Sequence, residues 1–298
     1  WTAHLDLPAE AYIEYGLVVD GEPVADPGNP HRVHNGFDGW NHQLWMPKAT
    51  RRALELQARR VPRGELRRGR IELGWTAAVP KRRRFDLYLP AGGHDPASLP
   101  LLVVLDGPDY VDRGRLPRTL DALIHDRSMA PIAAAFIDHA GPSRGVEYAA
   151  SDFTLWGLVD EVVPAAIERL GLGPQARTTG EAGRAAILGS SMGGLMALHA
   201  AVRRPDVFGR ALCQSVASFE AFRTTTLDVI RSGPAGPARL WLDAGDFEWL
   251  AEPDDRIAAL LAERGHAITY RRHHGGHNQT SWNESLVDGL PLLFPPEP

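Results

Sequence analysis

Cysteine is almost missing from this 298-residue chain, where Cys213 stands alone. That excludes an internal disulfide framework and cysteine-based zinc clusters. Lysine is also scarce, found only at Lys48 and Lys81, so nearly all the positive charge is arginine. There is no basic excess. The formal net charge is −5, whereas a nucleic-acid or anionic-membrane partner favours a basic face. Neither partner is expected. No run of about eighteen apolar residues occurs, the length a bilayer-spanning helix needs, and no secretory signal pattern is visible. The chain opens on Trp1 and not on methionine, so a piece is expected to precede it. A lone cysteine suits a reducing compartment, and a cytoplasmic location is expected. The remaining composition is that of a globular protein, long enough to bury a core without covalent staples.

The chain changes character along its length. Ala11 to Val19 has the aromatic and β-branched content of a strand, followed by a turn signal at Asp20-Gly21. Asp26 to Pro30 and Asn35 to Gly39 read as loop, while Trp1, Trp40 and Trp45 add aromatic bulk. Residues 1–50 therefore read as the end of a small β-rich domain. Residues 51–66, rich in arginine, read as a connector, with a short helix over 49–60. From 67 to 298 strands and helices alternate. Arg70–Trp75 and Arg84–Leu89 alternate apolar and polar residues and should pair antiparallel. Leu101–Leu105, Ile132–Ile137 and Ala185–Leu188 are continuous apolar runs, as in strands covered on both faces. Further strands are expected at Ala211–Val216, Leu240–Asp243 and Ala267–Arg271. Helices are expected at Leu116–Ser128, at Asp152–Leu172 with Asp152 as its cap, at Met192–Arg204, at Asp254–Arg264 and within 281–294. Repeated β–α units imply an α/β fold, a mostly parallel sheet with helices on both faces. Its ligands belong beyond the carboxyl ends of the strands.

Gly189-Ser190-Ser191-Met192-Gly193 lies at one such end and matches the G-x-S-x-G elbow between strand and helix. Side chains at 189 and 193 would crowd the neighbouring strand and helix. Ser191 is thus the candidate nucleophile, and the N–H of Met192 the first oxyanion donor. A serine hydroxyl needs a base. His277, in Gly275-Gly-His-Asn278 after the last strand, completes the chain order serine, acid, histidine. His273 and His274 read as structural or solvated groups, and a His274–His277 metal pair lacks a third ligand at fitting spacing. No metal or organic cofactor is expected. The acid belongs after the strand ending near 243, where Asp243, Asp246 and Glu248 all qualify; residue chemistry alone leaves the choice open.

Together these residues resemble the enterochelin esterase family, in the esterase D and antigen-85-like branch of the α/β-hydrolases. The resemblance covers about residues 67–295. It rests on Leu105-Asp-Gly107, Arg144-Gly-Val-Glu-Tyr148, Glu161-Val-Val-Pro164, Gly189-Ser-Ser-Met-Gly-Gly194, and Gly275-Gly-His-Asn278 with Trp282. Tyr15 to Gly21 and Asp26-Pro27 resemble the end of the immunoglobulin-like domain that precedes the hydrolase there. The resemblance implies an α/β-hydrolase fold. It also places the acid three residues after a glycine, here Gly245, which points to Glu248 with Asp246 next. One departure matters. The branch's second oxyanion donor falls on Pro108, which has no N–H, so either Gly107 or Asp109 supplies it or the loop differs.

The resemblance implies ester hydrolysis through an acyl-enzyme on a small-molecule ester, with a siderophore trilactone as the family's substrate. A feruloyl or acetyl carbohydrate ester is the rival, and an inactive binding protein on the same fold is the non-enzymatic alternative. Arg144 either grips a substrate oxygen or pairs with Glu147. Trp282 either lines the pocket or packs. Tyr110, Trp156 and Trp249 are candidates to face a substrate ring, and Arg223, Arg271 and Arg272 to attract an anionic one. Oligomeric state is left open.

Overall fold

Aromatic and β-branched residues near the start of the chain do form strands. A computed structural model describes residues 4–36, 39–74, 80–173, 185–236 and 238–296. Trp1, Trp75 and the centre of the loop expected at 35–39 lie outside the described residues. The single strand expected over 11–19 is divided at Gly16 into β1 (Tyr12–Tyr15) and β2 (Leu17–Val19). β2 pairs with β3 (Glu22–Val24) across the expected turn. Asp20 and Gly21 both take positive φ, 52° and 86°, the backbone a two-residue hairpin turn requires. β1 instead pairs antiparallel with β5 (Trp40–Trp45), which also holds β4 (Arg32–His34). The connector forms α1 (Arg52–Ala58), shorter at both ends than expected.

A nine-stranded sheet follows. It contains β6 (Glu65–Arg67), β7 (Arg70–Glu72), β8 (Arg82–Leu89), β9 (Leu101–Val104), β10 (Ala133–Ile137), β11 (Ala185–Ser190), β12 (Phe208–Gln214), β13 (Arg239–Gly245) and β14 (Ala267–His273). The order is β14-β13-β12-β11-β9-β10-β8-β6, with β7 also paired to β8. Strands β9 to β14 are parallel; β8 runs antiparallel to β10, β6 and β7. This is the mixed, mostly parallel sheet that the alternating pattern predicts.

The helices are α2 (Leu116–His125), α3 (Arg144–Tyr148), α4 (Asp152–Gly157), α5 (Val163–Leu170), α6 (Met192–Arg203), α7 (Glu220–Ser232), α8 (Ala251–Glu263) and α9 (Gln279–Leu293). Successive residues of the central strands point to opposite faces, so each apolar run feeds two cores. Leu101, Val103, Ile187 and Leu242 pack in one core with residues of α5, α6 and α8. Leu102, Val104, Leu188 and Trp241 pack in the other with residues of α2 and α9.

Two helix readings need correction. The single helix expected over 152–172 is interrupted by a wider-wound stretch at Leu158–Val162. Pro164 lies at the start of α5, directly after that stretch. The cap is Ser151, whose hydroxyl accepts the Thr154 N–H at 3.3 Å. Asp152 turns aside to His199 Nε2 at 2.9 Å and to Arg203 at 3.2 Å. Helix α7 was not foreseen, because Thr224-Thr-Thr226 is a run of weak helix formers.

One buried ion pair ties the antiparallel strand β8 to helix α3. Arg83 is 1% exposed and donates to Glu147 at 3.1 Å, and the same carboxylate accepts the Ala140 N–H at 2.7 Å. Removing one partner strands the other charge away from water. Arg83→Ala should therefore lower unfolding stability by about 3–5 kcal/mol, read from the urea midpoint; a loss under about 1 kcal/mol, typical of surface pairs, would show that Glu147 escapes to solvent.

Candidate active site

Three neighbouring strands, β9, β11 and β12, run into non-glycine residues at positive φ: Asp106 at 51°, Ser191 at 57° and Ser215 at 45°. Such residues cost on the order of 1–3 kcal/mol each and persist where the surroundings over-determine them. All three lie at the carboxyl edge of the parallel strands, where a ligand site is expected.

Ser191 has ψ of −122° and opens α6. Its N–H donates to Gln214 O at 2.8 Å, and its carbonyl accepts the N–H groups of Leu195 and Ala217 at 3.0 and 3.1 Å. The turn leaves no room for side chains on either flank. A Cβ at Gly189 would collide with the Gly193 carbonyl, and one at Gly193 would stand 2.7 Å from Asp106 Oδ2. Met192 begins the helix, where N–H groups lack intrahelical acceptors.

The histidine loop arches back over the end of β13. Asp246 N–H donates to His273 O at 2.9 Å and Phe247 N–H to Gly275 O at 3.1 Å. This brings His277 Nδ1 to 2.6 Å from Glu248 Oε2. The other carboxylate oxygen accepts the Gly245 N–H at 2.5 Å and the Ser215 hydroxyl at 2.8 Å. The Glu248 side chain is wholly buried, while the imidazole retains 24% exposure. Trp249 stacks on His277 with centroids 5.8 Å apart, and Trp282 meets it edge-on at 5.1 Å.

The other two carboxylates are engaged elsewhere. Asp246 pairs with Arg272 at 2.6 Å and with His274 Nδ1 at 2.7 Å. Asp243 is fully buried and accepts from Trp241 Nε1 at 2.8 Å and from the Ser285 hydroxyl. It faces His273 at 3.9 Å. Burial opposes charge on that imidazole, but the Asp243 carboxylate outweighs it and raises the His273 pKa. His273 and His274 thus each face an aspartate of their own.

The expected oxyanion donors separate on the same grounds. Asp109 N–H is spent on Asp106 O at 3.0 Å, and its carboxylate pairs with Arg113. Asp109 is therefore corrected as a donor. Gly107 opens the short helix after β9, and a Cβ there would lie 2.5 Å from the Phe136 carbonyl carbon. Its N–H, in a first helical turn, has no intrahelical acceptor.

Arg144 pairs with Asp106 and not with Glu147. The guanidinium grips both carboxylate oxygens at 2.7 Å, reaches Ser190 O at 3.5 Å and lies 5.5 Å over the Tyr148 ring. Burial opposes its charge, yet Asp106 holds its pKa above the ordinary arginine value. Arg271 pairs with Asp288, and Arg272 with Asp246 and Asp255. Trp282 is 9% exposed and donates to Ser215 Oγ at 2.9 Å, so it packs beside the imidazole. Trp249 is 70% exposed, and Trp156 is exposed beside Phe153. Ser215 and Asp106 escaped sequence reasoning. Ser215 sits in no motif, and Asp106 lies inside Leu105-Asp-Gly107, which assigns it no role; the positive φ and the bonds reveal both.

A family model described as "Putative esterase" matches residues 76–293. The iron(III) enterobactin esterase of Dickeya dadantii is 29% identical over 241 residues, covering 74% of this chain and 54% of that protein. The chain thus spans about half the length of that curated relative. The crystal structure of the enterobactin esterase of Shigella flexneri, determined in the presence of enterobactin, superposes with a TM-score of 0.77 at 23% identity, covering 91% of this chain and 69% of that one. A ferulic acid esterase superposes at 0.61 and 15% identity, covering 78% of this chain and 99% of that one. These likenesses show the fold: an α/β-hydrolase sheet behind a small β region.

Tyr110 is the clearest correction among the residues expected at the pocket. It is 0% exposed and its hydroxyl donates to Gln214 Oε1 at 2.8 Å, so it cannot face a substrate ring. Tyr110→Phe should cost about 1 kcal/mol of stability, the usual worth of one buried hydrogen bond, and leave the KM for aryl and alkyl esters in the same ratio. A change in that ratio would return Tyr110 to the pocket.

Proposed function

The chain belongs to the esterase family of α/β-hydrolases that includes the iron(III) enterobactin esterases, and from that premise we propose that it hydrolyses carboxylic esters through an acyl-enzyme on Ser191. The observation that carries this reading is the 2.6 Å bond between His277 Nδ1 and the buried Glu248, on the same sheet edge as the strained serine.

With Nδ1 committed to Glu248, the imidazole presents Nε2 as its base. Nε2 takes the Ser191 proton as the oxygen attacks the ester carbon, then returns a proton to the departing alcohol. Glu248 holds the tautomer and stabilises the imidazolium. The N–H groups of Met192 and Gly107 receive the oxyanion; one such donor is typically worth about two to three orders of magnitude in rate. Water deacylates the serine by the same route. Arg144 positions Asp106 beside the elbow and leaves substrate contact to other groups. His277, Glu248 and Ser191 are thus the catalytic residues we propose, in preference to Asp246, whose carboxylate is bonded to Arg272 and His274.

For the substrate, we propose the ester backbone of a catecholate siderophore. Its support is the relatives, named as iron(III) enterobactin and salmochelin esterases. The feruloyl carbohydrate ester is the competing outcome.

Wild type should turn over a short-chain p-nitrophenyl ester, with Ser191→Ala losing at least about three orders of magnitude in kcat. Glu248→Gln should fall far more than Asp246→Asn. Equal activity in wild type and Ser191→Ala would reject the nucleophile, and a collapse confined to Asp246→Asn would reassign the acid.

The substrate is tested separately, by comparing kcat/KM on a ferric catecholate trilactone and on a feruloyl sugar. A ratio well above ten in favour of the trilactone is expected; the reverse ratio selects the carbohydrate ester.

A further inference from the structure

The catalytic acid does not meet the nucleophile's strand through His277 alone. Ser215 follows Gln214 at the end of β12, is completely buried and takes φ of 45°. Its N–H donates to Asp243 O at 2.8 Å, which anchors the residue to β13. Its hydroxyl donates to Glu248 Oε1 at 2.8 Å and accepts Trp282 Nε1–H at 2.9 Å. One oxygen therefore joins three segments: the β12 end, the acid loop after β13, and helix α9, which follows the histidine. The residue before it serves the same edge. Gln214 O accepts the Ser191 N–H at 2.8 Å, and Gln214 Nε2 donates to Trp282 O at 2.9 Å.

From this arrangement we infer that Ser215 is a positioning residue for catalysis, whose hydroxyl fixes the Glu248 carboxylate so that Oε2 meets His277. The inference rests on the reading of Glu248 as the acid. Its physical basis is the burial of that carboxylate. A charge without water needs donors on both oxygens. His277 serves Oε2; Ser215 and the Gly245 N–H serve Oε1. The Gly245 donor ends β13, the strand that leads into the carboxylate's own turn. Ser215 is the donor that follows β12, so it references the acid to the strand that pairs with β11 and holds the Ser191 N–H. Trp282 completes the coupling, since its ring touches the imidazole while its N–H ends on the same hydroxyl. The backbone agrees: β12 holds a non-glycine residue in the left-handed region where glycine is the unstrained choice. Glycine would keep the bend and lose the oxygen.

The test uses the full chain and p-nitrophenyl acetate, with kcat and KM measured for Ser215→Ala, Ser215→Gly, Glu248→Gln and Ser215→Ala/Glu248→Gln. Ser215→Ala should lower kcat by about 10–100-fold, the weight of a hydrogen bond to a charged group, with KM within about twofold. Ser215→Gly relaxes the backbone and should lose as much, because the hydroxyl and not the bend is at issue. It also serves as the folding control, its urea midpoint at or above that of Ser215→Ala. In the Glu248→Gln background the alanine should cost no more than about twofold further, as expected of residues that act as one unit. The inference is overturned if Ser215→Ala keeps wild-type kcat, if Ser215→Gly restores it, if KM alone rises, or if the two substitutions multiply. Failure of the underlying reading shows differently: Glu248→Gln would then retain wild-type turnover whatever happens at 215.

Discussion

A carboxylate without water is the constraint on which the site depends. The Glu248 side chain is buried, and a buried carboxylate needs donors around it. Three converge on it: an imidazole from the last loop, a hydroxyl from a neighbouring strand and a backbone N–H from its own turn. Each donor is also a geometric restraint. The carboxylate cannot rotate without abandoning one of them, and the imidazole cannot leave without taking away the donor to Oε2. A second buried carboxyl lies nearby. Burial first, and then the Glu248 charge, push the pKa of Asp254 well above the ordinary carboxylate range. Asp254 accepts the Val216 N–H and holds the segment after Ser215 in place.

The sheet supplies what the carboxylate needs. Parallel strands end together on one edge, so residues far apart in sequence arrive as neighbours. Asp106, Ser191 and Ser215 occupy successive positions along that edge, each in strained backbone. Strain at one residue would be relieved by a small shift of its loop. Here such shifts are blocked, because the loops are bonded to each other. Ser191 N–H is held by β12, Ser215 N–H by β13, and Asp106 by Arg144. The two cores beneath, one on each sheet face, provide the packing against which this edge is held.

Much of this was legible in the residues, and the reasons are physical. Apolar runs such as Leu101–Leu105 have few ways to be buried other than as covered strands. The glycines at 189 and 193 announced a turn that side chains would block. Glu248 could be separated from Asp246 only by resemblance, since loop residues two apart differ in direction by backbone angles that composition does not encode. The interruption at 158–162 was hidden because a wider turn keeps the apolar face nearly in phase. Tyr110 was misjudged because an aromatic residue after a strand end reads the same whether it lines a pocket or fills a core. Ser215 carried no signal at all: a serine after a strand is common, and its role exists only through three partners distant in sequence.

Charge offers the site less than the arginine count suggests. Arg144, Arg271 and Arg272 are each closed on aspartates. A paired arginine presents little field at a distance, and recruiting it for a ligand means breaking the bond to its carboxylate. For Arg144 that bond is bidentate and lies against the nucleophile's strand, so a ligand that competed for it would disturb the elbow it came to use. The aromatic surface is under no such conflict. Trp249 keeps one ring face on His277 and is 70% exposed. A flat apolar group can stack there at no cost to any ion pair, close to the imidazole. An ester carrying an aromatic ring therefore gains its contact where the chemistry is proposed to occur, whereas an ester recognised through Arg144 would have to unmake part of the site first.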